Sequence, residues 1–113
     1  MNMDQLTALM RSLLAKVKIT ERQMQHLGGI VIVFNPRMRT TAGRAFYRLR
    51  EIHLNTRLLS KNQHEIEDTF AHELAHLISY AKYGTEGKGH GHHWQSVMKD
   101  LGYEPSRFHS MDV

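Results

Sequence analysis

Leu6, Leu9, Met10, Leu13, Leu14 and Val17 recur three and four residues apart with polar residues between them, which predicts an amphipathic helix over roughly the first 17 residues. A second, shorter helix follows, because Thr20 and Gln23 fit a capping box and Gly28-Gly29 supplies a stop. The run Ile30 to Phe34 is rich in β-branched residues and reads as a strand ended by Asn35-Pro36. Between Gly43 and Leu59 the apolar positions alternate in two phases, Ala45, Tyr47 and Leu49 and then Ile52 and Leu54, predicting two strands with a turn near Arg50. From Glu65 to about Tyr83 helical spacing returns, with Ile66, Phe70, Leu74, Leu77 and Ala81 on one stripe. The glycine-rich GTEGKGHG breaks that helix, and Trp94, Val97, Met98 and Leu101 define a last short one stopped by Gly102. Helices, a small antiparallel sheet and then helices make an α+β domain.

At 113 residues the chain is long enough for one hydrophobic core and too short for two, so residues 1–113 are expected to form a single domain. Arg11 and Lys16 interrupt the first apolar stretch before a secretory core can form, and the apolar run at 30–34 is strand-sized. The expected location is therefore the cytoplasm, or the nucleoid if the source is bacterial, without membrane contact. The chain has no cysteine, which excludes a disulfide framework and any zinc finger or ribbon built on thiolates. A metal would have to be held by His, Asp or Glu.

Five of the nine histidines fall within residues 69–95, and two of them form the sequence His72-Glu73-Leu74-Ala75-His76. On a helix, positions four apart share a face, so His72 and His76 can grip one ion while Glu73 sits about 100° round, suited to a base beside the ion. The pair lies away from the stripe of Ile66, Phe70, Leu74, Leu77 and Ala81, which argues against a packed core histidine. Catalytic zinc sites take three protein ligands and leave a fourth position for water. Lys82 stands where a metzincin would supply its third histidine and Ser79 where that motif has glycine, so the metzincin pattern fails. Of the remaining candidates, His90 is favoured because Gly89 and Gly91 let the chain bend back toward the helix. His92 and His93 rank lower as members of the next helix, and Asp100 and Glu86 are the carboxylate alternatives. Tyr80 and Tyr83 lie on or near the histidine face, although packing is the simpler role for both, as it is for Trp94.

A Zn²⁺ held this way makes hydroxide available near neutral pH and stabilises a developing oxyanion, and Glu73 as general base and acid completes a route to peptide hydrolysis. The competing reading is a structural zinc closed by His92, His93 or Glu86.

TAGRAFY (41–47), IHLNTRLL (52–59), HELAH (72–76), HGHHW (90–94) and the LGYEP tail together resemble the SprT family, the bacterial SprT-like proteins and their eukaryotic relative Spartan. The resemblance runs from about Val31 onward. It implies a zincin-like metalloprotease domain with His72, His76 and His90 as zinc ligands, Glu73 as the catalytic acid and base, and Zn²⁺ as cofactor. It also implies proteolysis of protein substrates on DNA, including covalent crosslinks. Many family members carry a Cys-rich zinc module after this domain, and this sequence has no cysteine for one.

Charge gives that partner an independent footing. Residues 1–61 hold eleven Lys and Arg against three Asp and Glu, whereas 62–113 hold four against eight. Arg37, Arg39, Arg44, Arg48, Arg50 and Arg57 fall within 21 residues, interleaved with Phe46 and Tyr47. That composition suits phosphate neutralisation with some base stacking and no sequence specificity, and together with what the resemblance implies the expected partner is DNA, single-stranded or damaged. A zinc peptidase indifferent to DNA, or a DNA-binding module with a structural zinc, are the alternatives.

Overall fold

The computed structural model describes residues 1–39, 41–59 and 63–105, the side chains of Leu59 and Gln63 excepted. Helix α1 (Met3–Leu14) opens on a capping box between Asn2 and Gln5, and α2 (Glu21–Leu27) on the box expected from Thr20 and Gln23. Strands β1 (Val31–Phe34), β2 (Gly43–Phe46) and β3 (Glu51–Leu54) follow, then α3 (Thr56–Leu59) and the long α4 (Gln63–Tyr83). A 3₁₀ turn at Gly84–Gly87 leads to α5 (His92–Leu101), which ends on Gly102 in the left-handed conformation at φ 88°.

Two expectations need correction. The sheet has the order β1-β3-β2, with β2 antiparallel to β3 but β1 parallel to it, so it is mixed. The reason lies in the connection after β1. Its described residues pass the end of β3, where Asn55 N–H donates to the Ala42 carbonyl and its Nδ2 to those of Met38 and Thr41, instead of closing a hairpin, which leaves β3 to insert between the other two strands. The second correction is that the strand expected to run on through Leu59 stops at Leu54, and Thr56–Leu59 forms α3. Asn55 ends the strand by turning its side chain on the backbone: its Oδ1 accepts from the amides of Arg57 and Leu58 at 3.2 and 3.4 Å.

Period-two alternation divides the sheet into unlike faces. Ile52 and Leu54 of β3 are buried toward the helices, whereas Glu51 and His53 between them are only half-buried. On β2, Gly43 faces α4 so closely that an added Cβ would lie 2.7 Å from Thr69 Cγ2. The intervening Arg44 faces away and is exposed.

The core joins Leu6 and Leu13 of α1, Leu27, Ile52, Leu54 and Trp94, Val97 and Leu101 of α5 around Phe70, Leu74 and Ile78 of α4. Residues 69–79 are buried on every side of α4. The face opposite the apolar stripe is therefore covered as well, by β2 and by α5 with the bend before it. No helix among the described residues is long and apolar enough to cross a membrane.

Candidate metal centre

His72, Glu73 and His76 lie in the covered middle of α4, 4, 5 and 7 % exposed. His90 comes from the bend between Gly84 and Gly91, and three devices shape that bend. Gly84 and Gly89 adopt positive φ of 63° and 82°, which L side chains disfavour. Gly87 packs so tightly on α4 that an added Cβ would lie 2.2 Å from the Ser79 carbonyl oxygen. The Ser79 hydroxyl donates to the Gly87 carbonyl at 2.8 Å, pinning the bend to the helix. Gly91 keeps an ordinary φ of −73° and serves as the N-cap of α5, so of the two glycines flanking His90 only Gly89 uses its conformational freedom.

The result is convergence. His90 Nε2 lies 3.1 Å from His72 Nε2 and 3.2 Å from His76 Nε2, and one nitrogen from each ring falls within 4.8 Å of the others. Burial, followed by the neighbouring His72 and His90, lowers the pKa of His76 to about 3. His76 is thus a neutral imidazole at pH 7, the form that binds metal. Three ring nitrogens facing one point, without a carboxylate among them, fit a borderline-soft ion such as zinc.

Trp94 is the floor of the cluster as well as a core residue. Its ring centroid lies 4.8 Å from that of His72, 5.4 Å from His76 in a stacked arrangement, and 4.7 Å from His90. Its Nε1 donates to the His72 carbonyl at 3.2 Å. Glu73 packs beneath β2, where a Cβ on Gly43 would sit 3.2 Å from its Cγ.

Tyr47 belongs to the site although its place in the strand alternation and beside the arginines does not announce it. The Tyr47 hydroxyl lies 3.5 Å from His76 Nδ1, and Gly89 N–H points at it from the same distance. Its pKa is raised, mainly by burial and also by the Glu73 charge. The TAGRAFY segment contained the residue, but nothing local indicated a partner 29 positions away. Tyr80 packs on Tyr47 with centroids 4.9 Å apart, and Tyr83 stacks on His93 at 3.8 Å on the outside. His92, Glu86 and Asp100 are exposed, and among the described residues the metal-competent group consists of His72, His76 and His90.

The arginines divide by use. Arg37, Arg39, Arg44 and Arg48 are exposed. Arg50, at φ 55° in the β2–β3 turn, donates to the His26 carbonyl at 3.3 Å, and Arg57 donates to the carbonyls of Met38 and Arg39 at 2.9 and 3.4 Å. These two guanidinium groups engage main chain.

The sequence model of the SprT-like family matches residues 10–111, reaching into α1, upstream of the segment whose motifs suggested it. The chain belongs to the SprT-like family. Among its relatives, Protein SprT of Pasteurella multocida is 45% identical over 74 residues, which are 64% of this chain and 44% of the relative. Protein SprT of Glaesserella parasuis is 39% identical over 74 residues, 64% and 47% of the two chains. The corresponding protein of Vibrio parahaemolyticus is 38% identical over 84 residues, 73% and 50%. The chain spans about half the length of the curated SprT proteins it matches. No solved structure matches it significantly.

Proposed function

We propose that this SprT-like chain is a zinc metallopeptidase with a zincin-like fold that cuts peptide bonds in proteins held on DNA. The observation that carries the reading is the meeting of three imidazole nitrogens, two from buried His72 and His76 on α4 and one from His90 in the bend after it, with Glu73 beside them on the helix. His72, His76 and His90 would hold the ion, which when bound supplies Lewis acidity and a water of lowered pKa. Glu73, one position after the first histidine, accepts the proton of the attacking water and returns it to the leaving amide nitrogen. Tyr47 and Trp94 hold the imidazoles in place, so the donor set needs little rearrangement. Strand β2 is a sheet edge that packs on Glu73, so an extended peptide adding to it would lie along the site.

The nucleic-acid part of the proposal rests on the basic surplus of residues 1–61 and on the exposed side chains of Arg37, Arg39, Arg44 and Arg48. A role confined to holding the fold gives no reason for a buried glutamate at 73, and the clustered donor set supplies three ligands, the number of a catalytic zinc.

The test is zinc analysis with a protease assay on the native chain and Glu73→Gln, with and without single-stranded DNA. The expected result is one equivalent of zinc in both proteins, with DNA-stimulated cleavage at least about a hundredfold weaker in the variant. Equal cleavage by the variant would remove Glu73 from the chemistry, and cleavage indifferent to DNA would leave a peptidase without the nucleic-acid requirement.

A further inference from the structure

The sheet face turned away from α4 carries a cleft of about 320 Å³ that the metal centre does not use, lined among others by Asn35, Arg39, Arg44, Phe46 and His53. Its floor is internally wired. The Arg37 amide donates to Asn35 Oδ1 at 3.1 Å, which fixes the Asn35 amide so that Nδ2 donates to His53 Nδ1 at 3.2 Å. His53 Nε2 then donates to Glu51 Oε1 at 2.9 Å. The one acid among the clustered arginines is thus engaged by a histidine, and among the described residues neither Arg39 nor Arg44 pairs with a carboxylate. Phe46 stands edge-on to His53 at 4.7 Å between centroids, with the Arg44 guanidinium 5.3 Å from its ring.

The rim is held in place too. Buried Asn55 donates through Nδ2 to the carbonyls of Met38 and Thr41 at 2.9 and 3.1 Å, and Arg57 adds its bonds to Met38 and Arg39. The segment that carries Arg39 past the end of β3 is therefore preorganised. A volume near the lower end of ligand clefts, two cations without counter-charge and an aromatic ring match the parts of a nucleotide: a phosphate and a base.

We infer that this outer face of β2 and β3 is a single-stranded nucleic-acid subsite, with Arg39 and Arg44 on the phosphate and Phe46 against an unpaired base. The inference rests on the nucleic-acid part of the proposed function and gives it a place. It lies on the opposite side of β2 from the metal centre, because Gly43 faces α4 while Arg44 and Phe46 face out. A duplex keeps its bases stacked on one another and cannot offer one to Phe46. The sheet face also presents no helix for a groove.

The test is fluorescence anisotropy with labelled oligothymidylate, oligouridylate and a duplex of equal length, at salt from 50 to 200 mM. Phe46→Ala should weaken both single strands about tenfold or more and leave the duplex unchanged. Arg44→Gln should weaken single-strand binding and flatten the log K against log salt slope by about 0.7, one phosphate contact. Phe46→Trp, which keeps an aromatic ring and the fold, should bind normally and lose tryptophan fluorescence on adding oligothymidylate. Lys99→Glu on α5 controls for total charge and should have a much smaller effect than either cleft substitution. If the native chain binds single strands while the cleft variants bind as tightly and as salt-dependently, the subsite is wrong and the wider nucleic-acid reading stands. If the native chain does not bind at 50 mM salt, that reading fails and the subsite with it.

Discussion

Trp94 Nε1 donates to the main-chain carbonyl of His72 at 3.2 Å, tying α5 to the turn of α4 that bears the candidate ligands. The bond sits in a buried setting, where a lost partner is felt. Trp94→Phe should destabilise the protein by about 1–3 kcal/mol, through the lost hydrogen bond and the volume removed from the core. Urea denaturation measures that cost. Zinc titration of the same variant should show weaker binding, because the rings of His72, His76 and His90 all rest on the indole.

Metal should act as a folding ligand. Zinc at about a hundred times its dissociation constant adds about 2.7 kcal/mol to a chain that binds it only when folded. Added to metal-free protein, it should raise the melting temperature by about 10 °C. In His90→Ala the rise should shrink to a small fraction, since the remaining two imidazoles hold the ion less tightly. An undiminished rise would take His90 out of the donor set.

Asn55→Ala should cost about 2–4 kcal/mol, because four main-chain groups lose a side-chain partner at a fully buried position. Hydrogen exchange should rise first at Met38, Arg39 and Thr41. The helical segment of α4 should stay protected until global unfolding.

Two glycines of the same bend should respond differently to alanine. At Gly87 the new Cβ meets main-chain atoms of Ser79, which cannot swing aside, so Gly87→Ala should cost about 3 kcal/mol or more and loosen His90. At Gly84 the space is open and only the positive φ opposes a side chain, so Gly84→Ala should cost about 1 kcal/mol. Thermal melts of the two variants give the order.

Four of the helices, α1, α2, α4 and α5, are legible because each declares itself within a dozen residues. The apolar spacing of α1, the capping box of α2, the stripe of α4 and the terminal Gly102 all act through neighbours in sequence. His90 could be placed because a glycine-rich bend has few ways to return to the helix it has just left. The direction of β1 is not legible, since it depends on where the connection from β1 to β2 meets the end of β3 at Asn55, a long-range event. The strand read through Leu59 failed for a related reason. Thr-Arg-Leu-Leu fits either state, and the choice was made by Asn55 reaching back to the crossing segment. Tyr47 against His76 and Arg57 against Met38 are likewise contacts between segments, with no local signature to betray them.

Helix α4 is enclosed from Thr69 to Ser79, so its central turns have no solvent-facing position where a substitution could be harmless. Each side chain there is answerable to the packing of the domain as well as to the chemistry beside it. Evolutionary room for new preferences must then lie on the perimeter: the outer face of β2, Thr85 and Glu86 on the outside of the bend, and His92 at the start of α5. Diversification of such a protein would rewrite its margins and leave its axis alone.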